Sequence, residues 1–199
     1  FRNTIGYNIV FIIIGVTLPV ALAIMITQLY SRRVAKVCQT AVFLPHFLSW
    51  VVISYFVFAF LSTDKGLINS LIMSMGGEAI LWYQEPKYWP YLLVFINTWK
   101  TFGYSMVVYM ATITGIDQSL YESAVIDGAS KWQQTWGITV PLLRPVISIM
   151  FIMNVGSIFS TDFGLFFQVT RDSNSLINVT QTLDVYVHKA LIQSNNHNY

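Results

Sequence analysis

Residues 3–31 read NTIGYNIVFIIIGVTLPVALAIMITQLYS, without one Asp, Glu, Lys or Arg. A second charge-free run extends from Val37 to Thr63. An α-helix rises about 1.5 Å per residue and needs roughly 20 apolar residues to cross the hydrocarbon of a bilayer. Both runs exceed that length, and neither offers the polar stripe that a helix on a water-soluble protein would carry. The sequence therefore predicts two membrane spans, over about residues 4–30 and 38–61. Pro19 and Pro45 fall inside them, where a missing N–H bends a helix and packed neighbours in a membrane tolerate the bend.

Working outward, a third span is predicted over about residues 88–114, interrupted only by Lys100, and a fourth over about 145–165, with Asp162 near its far end. A lysine at mid-membrane costs roughly 2.5 to 3.5 kcal/mol, while each Leu, Ile, Val or Phe around it returns about 0.3 to 0.6. The third span is thus near balance by itself and needs protein neighbours. Composition agrees with a membrane protein: 55% of residues are hydrophobic and 10% charged, against about 25% charged in an ordinary soluble domain. Trp82, Tyr83, Tyr88, Trp89 and Tyr91 cluster where the third span would enter the interface, as amphipathic rings do. The fold class is all-α, a polytopic helix bundle.

The net charge of +2 is too small, and the basic residues too dispersed, for a nucleic-acid partner. Cys38 is the single cysteine, so it has neither a disulfide mate nor metal-binding companions and is expected to pack as a small apolar residue. No metal site is expected. The positive-inside rule gives a tie, with Arg32, Arg33, Lys36, Lys131 and Arg144 in segments placed inside and Arg2, Lys65, Lys87, Arg171 and Lys189 in segments placed outside. The concentration of three in the shortest loop puts Ser31–Lys36 in the cytoplasm. Residues 62–87 then lie outside, with a short helix near Leu67 to Met75. Beyond the fourth span, Leu176, Val179, Leu183, Tyr186, Val187, Ala190 and Leu191 recur at helical spacing and predict one external amphipathic helix. Asn178-Val-Thr180 matches a glycosylation triplet, a pattern too frequent by chance to carry weight.

The cytoplasmic excursion over about residues 119–140 has its own grammar. Ser119-Leu-Tyr-Glu122 is a capping box and predicts a helix start. Asp127-Gly128 supplies a residue able to close that helix in the left-handed conformation, and Ser130-Lys-Trp-Gln133 repeats the capping pattern. Two short helices should meet at Gly128. The second presents Trp132, Trp136 and Thr139 and is expected to end at Pro141. Such an elbow, with small residues at Ala124, Gly128 and Ala129, suits a groove on another protein. On spacing alone an ordinary amphipathic connector remains open.

Tyr121-Glu-Ser-Ala-Val-Ile-Asp-Gly-Ala129, followed by Ile138-Thr-Val-Pro141 and Pro145, closely resembles the EAA motif of binding-protein-dependent ABC importer permeases. Ser123 and Val140 stand where Ala and Leu are usual. Asn3-Thr4, Gly66-Leu-Ile-Asn69, Trp99-Lys100 with Gly103, and Gly115-Ile116 resemble the carbohydrate branch of that family. Asn154-Val-Gly-Ser-Ile158 and Asp184-Val-Tyr-Val-His-Lys189 are most similar to permeases for polysaccharide or oligosaccharide uptake in Gram-positive bacteria. The resemblance implies a type I importer fold with further spans before Phe1 and after Tyr199, in the bacterial cytoplasmic membrane.

It further implies that Glu122, Ser123, Ala124, Asp127, Gly128, Ala129 and Pro141 form the contact with a cytoplasmic ATPase, with Glu122 and Gly128 foremost. The implied partners are an ABC ATPase dimer, a second permease subunit of related sequence, and an extracellular or periplasmic solute-binding protein. No GxxxxGK[ST] phosphate loop occurs in the chain, so ATP and Mg would be used by the partner and no cofactor by this subunit. The chain is therefore expected to be a non-catalytic transport subunit. Nucleotide-driven closure of the motor would flip the permease pair from inward- to outward-facing.

For the solute pathway, Asn97, Lys100 and Tyr104 share a face of the third span, and Asn154 and Ser157 form a similar pair in the fourth. Hydrogen bonding to sugar and interhelical bonding are equally good readings of these residues. For Lys100 a structural or gating role is preferred. An ion-coupled secondary carrier is the alternative class, but it would need carboxylates near mid-membrane, where the spans offer only Lys100 and the peripheral Asp162. An intramembrane hydrolase would need HExxH or a Ser–His pair, and His46, His188 and His197 are scattered.

Overall fold

The computed structural model describes residues 1–195, and within them all regular structure is helical. His197, with the rest of the C-terminal Asn196–Tyr199, lies outside the described residues. The order is α1 (Arg2–Thr27), α2 (Arg32–Phe43), α3 (Trp50–Leu61), α4 (Leu67–Ser74), α5 (Trp89–Thr114), α6 (Gln118–Ile126), α7 (Lys131–Gln134), α8 (Val140–Gly156), α9 (Ile177–Thr180) and α10 (Leu183–Asn195). The chain forms two compact units. Among the described residues, one comprises Phe1–Phe11, Leu48–Asn97 and 157–195, and the other comprises Ile12–Phe47 and Thr98–Gly156.

Two apolar stretches differ from the single helices expected of them. The second, expected over 38–61, is not one helix: α2 stops at Phe43, Leu44–Phe47 form a 3₁₀ turn, and α3 begins at Trp50 with the Ser49 hydroxyl accepting from Val52 N. Pro45 explains the stop, because it lacks the N–H that would continue the α ladder and its ring crowds the carbonyl four residues back. Pro19, by contrast, is absorbed inside α1. The fourth stretch, expected over 145–165, begins earlier and ends earlier. Its helix runs from Lys131 to Gly156 without interruption. Pro141 does not end the elbow helix because Thr135–Thr139 widen into a π turn, closed by Val140 N donating to Thr135 O, and the wider turn takes up the proline ring.

Among the described residues, α1 and Lys131–Gly156 are each long and apolar enough to cross a membrane, and the α2–α3 pair would add a third if counted as one broken span. The helix α5 has 26 residues but interrupts its apolar run with Asn97, Thr98, Lys100 and Thr101. Its burial explains how it keeps them: Trp89, Leu93 and Ile96 enter the core of the first unit, and Met106, Tyr109 and Ile113 that of the second. Contacts with protein on one face replace contacts with lipid.

In the first unit, α3 packs on the π turn Gly164–Val169. A Cβ on Gly164 would lie 2.3 Å from Trp50 Cδ1, so glycine sets that approach. Asn69, fully buried on α4, organises the outer segment. Its amide donates to Ser62 O, Thr63 O and Ile80 O, and its Oδ1 accepts from Ile80 N and Trp82 Nε1. The amphipathic helix expected over 176–191 is broken at Gln181–Thr182 into α9 and α10. The break is fastened from the start of α1: Thr4 Oγ1 accepts from Leu183 N at 2.9 Å, and the Asn3 amide donates to Asn178 O and Gln181 O. Asp184 in turn accepts from Thr161 N and Thr161 Oγ1.

Candidate coupling elbow and polar positions of the spans

The elbow belongs to the second unit. Helix α6 starts two residues earlier than the Ser119–Glu122 pattern predicts, because Asp117 is the N-cap and its carboxylate accepts from Ser119 N at 3.0 Å. That hydrogen bond favours the charged form and lowers the Asp117 pKa. The shift moves Ser119 and Glu122 into the helix body. The Glu122 side chain is therefore exposed and makes no hydrogen bond to the described residues, instead of folding back as a cap.

The end of α6 is a Schellman closure. Gly128 has φ of +78°, Ala129 N donates to Ala124 O at 2.8 Å and Gly128 N to Val125 O at 3.0 Å. Asp127 caps the helix with its N–H on Ser123 O. The turn thus uses Ser123, Ala124, Asp127, Gly128 and Ala129 in their backbones and leaves their side chains small or outward. The next helix opens with the capping box expected at Ser130: Gln133 N donates to Ser130 Oγ, and Ser130 N donates to Gln133 Oε1. Leu120, Val125 and Ile126 are exposed on α6, Ile126 by 86%. Trp132 and Trp136 are exposed beyond it and pair edge-on. They do not share a buried face with Thr139, which is 5% exposed.

The inner side of the elbow is polar. Gln134, Thr135 and Thr139 are buried. Gln28, just past α1, donates to Thr135 Oγ1 at 2.7 Å, and the Tyr121 and Thr139 hydroxyls lie 2.9 Å apart. Gln134 Nε2 donates to Ala129 O at 2.9 Å. A cavity of about 340 Å³ is lined by Gln28, Tyr121, Gln134, Thr135 and Thr139 together with Gln118 and Lys131. One side-chain bridge therefore ties α6 to the start of the Lys131–Gly156 helix, and the other ties that helix to the end of α1. Sequence reading missed Tyr121, Gln28, Thr135 and Thr139 in this role, because neither bridge has a local spacing: the partners are far apart in the chain and meet only in three dimensions.

Of the polar positions in the spans, Lys100 and Tyr104 converge on the Leu44–Phe47 turn. Lys100 Nζ donates to His46 O at 3.0 Å, and the Tyr104 ring stacks on His46 at 5.1 Å while Phe43 stacks at 5.8 Å. One turn along, Gly103 lets α5 meet the end of α2, since a Cβ there would stand 2.3 Å from Val42 O. These contacts make Lys100 and Tyr104 clamps on the broken helix. Asn97 lies on the part of α5 in the first unit. Asn154 donates to Met150 O within its own helix, and Ser157 follows the last helical residue of α8, accepting at its carbonyl from Ser160 N.

Residues 10–163 match the family described as the binding-protein-dependent transport system inner membrane component. The chain belongs to that family. The permease is similar to protein LplB of Bacillus subtilis, with 29% identity over 198 residues that cover 100% of this chain and 62% of the relative. It is similar as well to the polygalacturonan/rhamnogalacturonan transport system permease YteP of the same organism, at 31% identity over 100% of this chain and 61% of the relative. The chain thus spans about three-fifths of the length of these curated relatives. It superposes on a chain of a bacterial ABC transporter that imports the acidic polysaccharide alginate, with a TM-score of 0.91, 29% identity, and coverage of 98% of this chain and 67% of that one. The EAA resemblance and the all-α, multi-pass importer-permease fold hold.

Proposed function

We propose that this chain is the transmembrane subunit of an ATP-driven importer for sugars or oligosaccharides. It receives solute from a binding protein, pairs with a related permease in the bacterial cytoplasmic membrane, and alternates between inward- and outward-facing states. The elbow carries the reading. It offers an exposed carboxylate at Glu122 and exposed Leu120, Val125 and Ile126, on a helix whose end is fixed by Gly128 and whose Tyr121 hydroxyl is bonded to Thr139. A surface that is apolar, charged at one point and stiffly mounted suits a cleft on a moving partner.

Force applied to α6 would pass through Tyr121–Thr139 and Gln28–Thr135 to the helix Lys131–Gly156 and to α1. ATP and Mg would be used by the partner ATPase, and a two-state shift needs only that nucleotide change its affinity for the two forms. Support for a sugar cargo comes from the relatives, whose names include polygalacturonan and rhamnogalacturonan, and from the neighbouring alginate importer described with a pentasaccharide-bound periplasmic protein. The test is cysteine crosslinking from positions 122 and 128 in intact membranes together with uptake measured before and after ATP depletion. Capture of an ABC ATPase and loss of uptake are expected. Uptake that continues without ATP would return the chain to the ion-coupled carrier class.

A further inference from the structure

We propose that the first unit carries a binding site for acidic oligosaccharides, uronate-type sugars, at the junction of α3 and the π turn Gly164–Val169, with Arg171 as the carboxylate receptor. This rests on the importer reading and names its cargo class.

The site is a cavity of about 290 Å³ lined by Ser54 and Tyr55 of α3, by Phe167 and Gln168 of the π turn, and by Arg171 and Asp172 directly after it. Its size lies just below the range of small-ligand pockets, about 300–1,000 Å³, which suits one end of an oligosaccharide rather than a whole chain. The wall combines an aromatic plane with hydroxyl, amide and charged groups, the mixture that a ring with one apolar face and many hydroxyls requires. Tyr55 is 68% exposed and so presents its ring to an incoming sugar.

Charge gives the specificity. Asp172 is ion-paired with Lys189 of α10. Arg171 lies over the Phe58 ring, 4.0 Å from its centroid, and has no carboxylate partner among the described residues. The cavity therefore keeps one uncompensated guanidinium, pre-oriented by stacking and able to engage a carboxylate through two parallel N–H groups. A neutral sugar could offer that cation only hydroxyl acceptors, a weaker contact than a carboxylate makes, and a cationic solute would be repelled.

Backbone geometry points the same way. Arg171 and Asp172 both adopt left-handed conformations, with φ of 54° and 49°, where side chains other than glycine are uncommon. The turn is held by Arg171 N on Gln168 O and Asp172 N on Phe167 O, both 3.1 Å, and by Ser173 Oγ on Tyr83 O at 2.8 Å. Those bonds fix the turn that puts Arg171 and Asp172 on the same cavity wall.

The experiment uses the assembled importer with its full-length permeases in nanodiscs, without nucleotide, and measures binding of trigalacturonate against neutral galactotriose by calorimetry. Trigalacturonate should bind at least about tenfold tighter, the scale of one charge-assisted bidentate contact. Arg171→Gln should erase that preference, Arg171→Lys should keep part of it, and Tyr55→Ala should weaken both sugars alike. Equal binding of the two sugars by the wild-type importer, or an unchanged preference in Arg171→Gln, would overturn the site. If Arg171→Gln does not assemble, the wild-type ratio and Arg171→Lys still decide. An importer that is ATP-dependent but indifferent to sugar charge refutes this site alone. One that transports without ATP refutes the importer reading, whatever its binding ratio.

Discussion

Replacing Gly128 probes the elbow through backbone strain alone. A Cβ built there meets nothing within 4 Å, so size is not resisted, but φ is +78°. A left-handed L-residue costs roughly 1–2 kcal/mol, about a 5- to 30-fold change in population. Opposing this, the two Schellman bonds to Ala124 and Val125 contribute about 0.5–1.5 kcal/mol each. For Gly128→Ala the two sums nearly cancel, leaving a mixed elbow. Gly128→Asn, which tolerates the left-handed region, should retain most coupling, and the β-branched Gly128→Val should retain least. Gly128→Asp tolerates the same backbone but adds charge, so uncoupling by Asp and not Asn would place an electrostatic contact at this position. The assay is binding-protein-stimulated ATPase activity beside labelled oligosaccharide uptake, in membranes where all four variants insert equally. Normal uptake in Gly128→Val, or a ranking that follows side-chain volume, would refute the role of the turn.

Tyr121→Phe strands the buried Thr139 hydroxyl and should cost about 1–3 kcal/mol; a thermal-unfolding double-mutant cycle with Thr139→Val should recover part of that cost as coupling, and strict additivity would dismiss the bridge. Asn69→Ala removes five hydrogen bonds at a fully buried site and should cost about 3 kcal/mol or more, read as loss of protease resistance in the outer segment. Asp117 has a folded pKa below its ordinary 3.8, so its support of α6 is complete above that value and is lost as pH falls through the lower one. Amide exchange at Ser119 should report that loss, and Asp117→Asn should flatten the pH profile.

Chemistry local in sequence was legible in the residues themselves. Two charge-free runs meant membrane helices because hydration of the backbone and of charge is too costly in hydrocarbon, and Ser130–Gln133 and Gly128 announced a helix start and a helix end because capping is settled within a few residues. Competition between equally good local signals was not legible. Asp117 captured the cap from Ser119, Pro45 broke a helix while Pro19 did not, and Thr135–Thr139 widened to carry Pro141 into the fourth span. Only the tertiary structure decided those outcomes, together with the pairing of Tyr121 with Thr139, Gln28 with Thr135 and Lys100 with the His46 carbonyl. The reason is physical: a hydrophobic run or a cap depends on neighbours along the chain, whereas a buried hydroxyl or ammonium is settled by whichever distant group the packed helices bring within 3 Å.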